Sequence, residues 1–200
     1  MDCELNVSRE TLNKLESYVE LIKKWNPTIN LVSKGSVAEL WDRHIRDSLQ
    51  VYRFASEGEY WVDIGSGGGF PGLVAAILAQ ECHPNRHIAM IESDVRKSTF
   101  LRSVIRELDL PASVIVGRIE KVEPAKAHVL SARALADLNL LLEFAQRHLV
   151  VGGQALFFKG ETWEKEVAIA RETWSFELAV HKSETNAKSA ILEVKDIKLV

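Results

Sequence analysis

The chain has 200 residues, 46% hydrophobic and 26% charged, a balance that fits one α/β domain with a small extension. It excludes a disordered chain, a collagen-like repeat and a membrane protein. Lys and Arg number 25 against 28 Asp and Glu, a formal net charge of -3, so the bulk basic excess of a general polyanion binder is absent. Cys3 and Cys82 are too few for a disulfide framework or a cysteine-rich metal site, and free thiols in a reducing compartment are expected. Residues 1–10 carry Asp2, Glu4 and Glu10 without an apolar core, unlike a secretory or transit peptide. No apolar run approaches the ~18 residues of a membrane span, and a cytoplasmic location is expected.

A helical lead, residues 1–58, precedes an alternating strand and helix body, residues 59–200. Ser8 is placed as an N-cap, and Leu12, Leu15, Val19, Ile22 and Trp25 follow at helical spacing up to Asn26-Pro27. A second helix is predicted from Ser36, with Val37, Leu40, Trp41, Ile45, Leu49 and Tyr52 on one face. Neither helix can hide its apolar stripe alone, so both should pack on the body. In the body, strands are predicted at 60–64, 87–92, 113–116, 127–132, 153–159, 176–180 and 190–194. Helices are predicted at 73–79, 95–108, 138–149 and 163–173. Repeated β-α-β units with apolar strands predict a doubly wound, mostly parallel seven-stranded sheet. The last two strands lack a helix between them and should form an antiparallel edge.

The first body strand runs into Asp63-Ile64-Gly65-Ser66-Gly67-Gly68-Gly69-Phe70-Pro71-Gly72, at the position where α/β sheets bind ligands. A dinucleotide fingerprint, G-x-G-x-x-G, would need its third glycine where Phe70 stands. The spacing is G-x-G-x-G behind an acid, the pattern of class I methyltransferases that use S-adenosylmethionine. That cofactor carries no phosphate. An acid such as Asp63 can receive its ammonium group directly or through water, and glycines admit a close backbone approach. Glu92 closes the next strand, well placed for both ribose hydroxyls, a placement shared with NAD enzymes.

The extended glycine string does more than fit the class. So do Trp25-Asn26 with Ile29-Asn30-Leu31, His44-Ile45-Arg46-Asp47-Ser48-Leu49, Ile91-Glu92-Ser93 with Lys97 and Phe100-Leu101, Arg118-Ile119-Glu120, Ala132-Arg133-Ala134 and Lys159-Gly160. Across residues 12–160 the chain resembles the bacterial 16S ribosomal RNA guanine-N7 methyltransferase G family, also called glucose-inhibited division protein B. From about residue 175 it departs: Ser189-Ala190-Ile191-Leu192-Glu193 stands where the resemblance leads one to expect a basic stretch. The resemblance implies a Rossmann-like class I fold and methyl transfer from S-adenosylmethionine to N7 of one guanosine in 16S rRNA, in the small ribosomal subunit or an assembly intermediate. It implies a cofactor site along Gly65 and Phe70, the pair Ile119-Glu120, and Arg133. Ile119 would cover the adenine with Glu120 near its exocyclic amine; without the family, Ile119 reads equally as plain core. With the residues argued from the loop, the cofactor candidates are Asp63, Gly65, Ser66, Gly67, Gly69, Phe70, Glu92, Ile119, Glu120 and Arg133.

Guanine N7 is a lone pair without a proton, so direct attack on a sulfonium methyl needs no general base, and no catalytic dyad is expected. Alignment should supply most of the catalysis. Arg133 suits the cofactor carboxylate, an rRNA phosphate or guanine O6, with an internal ion pair as the competing reading. Arginine and lysine ordinarily take O6 and N7 together, and here N7 must stay free. Lys159 is either a substrate contact or a solvated lysine. His44 and Asp47, three apart, are expected to form a hydrogen-bonded pair that holds the lead over the cofactor mouth, a role favoured over direct catalysis. A metal site is not expected, because the six histidines are scattered. Trp25, Trp41 and Trp61 suit the core, with base stacking open for one of them. No third of the chain is a basic arm, so RNA contact would rest on local clusters such as Lys23-Lys24 with Lys34, or Arg43 with Arg46. The alternatives are a methyltransferase of small molecules or proteins, a cofactor-binding module without catalysis, and, weakest, an NAD enzyme.

Overall fold

The computed structural model describes residues 7–200; Cys3 and its neighbours lie outside that range. Helix α1 spans Arg9–Ile29 and is capped by Ser8, whose hydroxyl accepts the Thr11 N–H at 3.2 Å. The helix continues through Pro27 instead of stopping at Asn26. Proline here spoils only the last turn, and Ile29 extends the buried stripe of Leu15, Val19 and Ile22. Asn30 closes the helix at φ 48° with its N–H on the Asn26 carbonyl, and Asn26 Oδ1 accepts the Val32 N–H at 2.9 Å.

The predicted second helix is three pieces: a 3-10 turn at Lys34–Ser36, a π-helical turn at Trp41–Ile45, and α2 at Arg46–Phe54. Leu40, Ile45, Leu49 and Tyr52 are buried as the pattern required. The widened turn re-aims the side chains on either side of it.

The body follows as β1 (Tyr60–Ile64), α3 (Gly72–Cys82), β2 (His87–Glu92), α4 (Val95–Glu107), β3 (Ala112–Val116) and β4 (Ala127–Arg133). Then come α5 (Leu138–His148), β5 (Leu149–Lys159), α6 (Trp163–Ala170), β6 (Trp174–Lys182) and β7 (Ala190–Leu199). The sheet order is β3-β2-β1-β4-β5-β7-β6, and β7 runs antiparallel to both β5 and β6. The expected seven strands are present.

Two apolar clusters fill the two faces. On one, Leu15, Ile22, Leu40 and Ile45 of the lead join Leu73 and Ile77 of α3 and Phe100 of α4. On the other, Leu141, Leu142 and Phe144 of α5 meet the inner residues of β4, β5 and β7. Helix α3 is buried on nearly every side because the lead covers what would otherwise be its solvent face. Trp61 is fully buried, with its indole N–H on Ser131 Oγ at 2.8 Å, while Trp25 and Trp41 are partly buried. Cys82 is disulfide-bonded, which corrects the expectation of a free thiol there. Among the described residues no helix is long and apolar enough to cross a membrane, and no cluster of His, Cys, Asp and Glu suits a metal ion.

Candidate active site

The strand order reverses at β1, which pairs with β2 on one side and β4 on the other, so a crevice opens at its carboxyl end. The glycine loop fills that crevice. Gly65 and Gly67 have φ of 64° and 54°, and a Cβ on Gly65 would lie 2.5 Å from Leu135 Cδ1. Helix α1 holds the loop from beneath, where the Tyr18 hydroxyl donates to the Gly68 carbonyl at 2.6 Å. Glu92 is set by two backbone donors at 2.8 Å, Gly67 N–H to Oε2 and Asp94 N–H to Oε1. Each carboxylate oxygen keeps capacity for another donor. Around this frame lies a cavity of about 700 Å³ whose walls include Gly65, Gly67, Glu92, Ile119, Glu120 and Phe144.

Asp63 and Ser66 lie beneath the loop and line neither this cavity nor the one beside it. Asp63 is fully buried; its Oδ1 accepts from Ser131 at 2.7 Å and its Oδ2 has no partner. Burial pushes its pKa up to about 6, against the opposing pull of the Ser131 bond. Gly69 and Phe70 are also buried, and Phe70 packs on Tyr18 with ring centroids 5.3 Å apart.

A second cavity, about 770 Å³, adjoins the first at Ala134. It is lined by Asp47 from the lead, Arg133 at the end of β4, Lys159 at the end of β5, and the turn between β6 and β7. Arg133 Nη2 donates to the Arg43 carbonyl at 2.7 Å and to Asp47 Oδ2 at 3.3 Å, while Nη1 is buried without a partner. The guanidinium sits over Phe70 and Phe158, 5.9 and 5.5 Å from the ring centres.

His44 and Asp47 do not form the expected pair. Their spacing suits an α-helix, but the chain is π-helical at His44. His44 stacks on Phe70 at 4.9 Å with both ring nitrogens buried and unpartnered, and Asp47 turns to Arg133 and the Thr185 hydroxyl. Burial, reinforced by Arg133 and Arg43, lowers the His44 pKa to about 4, so the ring is neutral. Lys159 is not a solvated lysine. Its ammonium group is buried, donating to the Ala136 carbonyl at 2.7 Å and to Glu166 Oε2 at 2.6 Å. Lys23, Arg43 and Arg46, taken as cationic clusters, pair with Glu20, Glu39 and Asp42 one helical turn away.

The pattern of the sequence does not mark the β6–β7 turn as part of the site. Gln50 straps it to α2, donating to the Lys182 carbonyl at 2.7 Å and accepting the Glu184 N–H at 3.1 Å. Arg53 pairs with Glu184 at 2.9 Å. Partners 131 to 138 positions apart leave no local signal.

A protein-family model described as rRNA small subunit methyltransferase G matches residues 11–194. A ribosomal RNA small subunit methyltransferase G of Ruegeria pomeroyi is 52% identical over 196 residues, covering 98% of this chain and 96% of the relative. The protein of the same name from Ruegeria sp. (strain TM1040) is 51% identical, again over 98% and 96%. Among solved structures, a TehB-like SAM-dependent methyltransferase of Corynebacterium glutamicum superposes with a TM-score of 0.60 at 13% identity, over 90% of this chain and 98% of that one. TYW2 of P. horikoshii, solved in complex with MeSAdo, gives 0.58 at 14% identity over 77% and 62%. At those identities the likeness is one of fold, and the fold is that of class I methyltransferases.

Proposed function

The chain belongs to the rRNA small subunit methyltransferase G family, and on that premise we propose that it transfers the methyl group of S-adenosylmethionine to N7 of one guanosine in 16S rRNA, in the small subunit or an assembly intermediate. The observation that carries this reading is the pair of neighbouring cavities that share Ala134 as a wall, one suited to a nucleoside cofactor and the other to a target base. The bacterial cytoplasm is the location that fits such a substrate. Residues 1–58 serve as an extension of the methyltransferase body, 59–200, and the described part of that extension packs on the body.

The first cavity fits the cofactor. Glu92, already oriented by two backbone donors, offers its remaining lone pairs to ribose hydroxyls. Ile119 covers the adenine and Glu120 stands near its amine. Gly65, Gly67 and Gly69, with Ser66 beneath them, shape the loop that Phe70 extends towards the methionine end. Asp63, enclosed below the loop, acts through that backbone or through a water, while Arg133, which lines the second cavity and not the first, is assigned to the target base. When bound, S-adenosylmethionine supplies an electrophilic methyl group on a sulfonium centre.

N7 of guanine brings its own lone pair, so no side chain is asked to remove a proton, and the residues orient the reactants. With N7 reserved for the methyl group, guanine O6 remains for a donor, and the unpartnered Arg133 Nη1 and His44 nitrogens are the candidates. A neutral His44 can donate without placing another cation beside the sulfonium. Lys159 and Asp47 frame the base cavity, Asp47 by holding Arg133.

The deciding experiment incubates the protein and S-adenosylmethionine with unmodified 16S rRNA or small subunits and maps N7-methylguanosine. A single new site, missing from cells that lack the protein, is the expected result. Methyl transfer confined to small metabolites or proteins would overturn the proposal.

A further inference from the structure

The segment 117–126, between β3 and β4, carries Ile119 and Glu120 into the first cavity. Lys121 and Val122 N–H both turn back to the Arg118 carbonyl, and the Gly117 N–H bonds to the Glu92 carbonyl at 3.0 Å. The end of α5 braces the segment from outside. Arg147 Nη2 donates to the Val122 carbonyl at 2.8 Å. His148, fully buried, has Nδ1 3.2 Å from the Ala125 nitrogen and Nε2 2.9 Å from the Ile119 carbonyl oxygen.

The ring's proton can be placed from these partners. A backbone N–H only donates, so Nδ1 must be the bare, accepting nitrogen; a neutral ring then carries its proton on Nε2 and donates it to Ile119. Burial lowers the His148 pKa, opposed by the Ile119 bond, in keeping with this neutral form. One imidazole thus ties the carbonyl of the cavity residue Ile119 to the far end of its segment at Ala125. Helix α5 lines the same cavity with Leu140 and Phe144, while His148 does not reach it.

We propose that His148 is a positioning residue for the cofactor, holding Ile119 and Glu120 at the wall of the first cavity through its two hydrogen bonds without touching the ligand. This rests on reading that cavity as the S-adenosylmethionine site. Three variants of the full chain test it: His148→Gln, whose longer amide still carries one acceptor and one donor; His148→Asn, too short to reach both partners; and His148→Leu, which removes both bonds.

Calorimetry with S-adenosylmethionine alone reads affinity without RNA, and thermal unfolding reports whether each variant is folded. His148→Leu should bind about tenfold more weakly and His148→Asn about threefold more weakly, losses of the size expected for one or two neutral hydrogen bonds. His148→Gln should bind like the wild type. The KM for cofactor should rise in parallel, with kcat at saturating cofactor within about twofold. Unchanged affinity in a folded His148→Leu overturns the proposal; if that variant does not fold, unchanged affinity in His148→Asn does so. Failure of the wild-type protein to bind S-adenosylmethionine would instead overturn the reading of the cavity.

Discussion

The two cavities are of similar size and opposite construction. The first is walled by short stretches that each follow a parallel strand: the glycine loop after β1, Glu92 at the end of β2, Ile119 and Glu120 after β3, and Ala134 to Ala136 after β4. Its polar geometry rests largely on backbone, as in Gly67 N–H to Glu92. The second is assembled from the lead, the ends of β4 and β5, and the β6–β7 turn, and depends on charged side chains reaching across the fold. The contrast teaches that the parallel α/β architecture provides the first cavity, proposed for the cofactor, whereas the second, proposed for the target base, needs contacts the architecture does not guarantee. Substitutions in the two cavities should therefore fail differently.

The largest expected effect lies in the second. Glu166→Ala leaves the Lys159 ammonium buried without its carboxylate and should cost about 3 kcal/mol of stability in denaturant unfolding. Adding Lys159→Met should recover most of that loss. A cost below about 1 kcal/mol would mean that Lys159 escapes to water and that the second cavity tolerates an open wall.

Two ionisable groups around the glycine loop, the buried Asp63 and the half-buried His44 stacked on Phe70, make opposite demands on pH. Asp63 has a folded pKa of about 6 against an ordinary 3.8, so its cost to folding is absent below pH 3.8 and grows until pH 6. Above pH 6 that cost levels off at roughly 3 kcal/mol. His44, at about 4 against 6.5, costs nothing above pH 6.5 and progressively more as pH falls towards 4. The two slopes oppose each other between pH 4 and 6. Asp63→Asn should raise stability at pH 7 and leave the His44 slope exposed, with stability dropping as pH falls from 6.5 to 4. Unfolding midpoints at pH 4.5, 5.5 and 7 check both signs. A variant no more stable than wild type at pH 7 would show that the carboxylate is better solvated than its burial indicates.

Gly65→Val puts a β-branched residue at positive φ against Leu135, a strain of about 2 kcal/mol that should appear as about thirtyfold weaker S-adenosylmethionine binding in calorimetry. Affinity within threefold of wild type would remove the loop from the cofactor site. The smallest effect is expected for Asp47→Asn, which weakens the hold on Arg133 and Thr185. The KM for rRNA should rise about fivefold, near 1 kcal/mol, with cofactor affinity within twofold. Loss of cofactor affinity instead would assign Arg133 to the first cavity and redraw the boundary between the two.

Legibility in the sequence follows the same division. Gly65 and Gly67 were readable because positive φ narrows the choice of residue, and Glu92 because strand ends face the crevice. The helix cap at Ser8 is local and equally plain. His148 looks like one more position on an amphipathic helix; only the folded neighbours reveal that its nitrogens meet Ala125 and Ile119 at the two ends of the segment beside the first cavity. Pro27 misled because its usual helix-breaking cost is small in a last turn backed by a buried Ile29. His44 and Asp47 misled because a π-helical turn separates side chains that α-helical spacing would bring together.

The net charge of -3 keeps its force: Lys23, Arg43 and Arg46 are each met by an acid three or four positions earlier, so binding of rRNA should depend on few phosphates and weaken only shallowly with salt. By itself the sequence determined the order of strands and helices, the glycine loop and the acid beyond it, because periodicity and backbone preference act over a few residues. The tertiary structure alone decided that Arg133 meets Asp47 across 86 positions, that Thr185 reaches Asp47 across 138, and that Lys159 is enclosed. Such pairings arise from how packed elements are juxtaposed, and no local pattern records them.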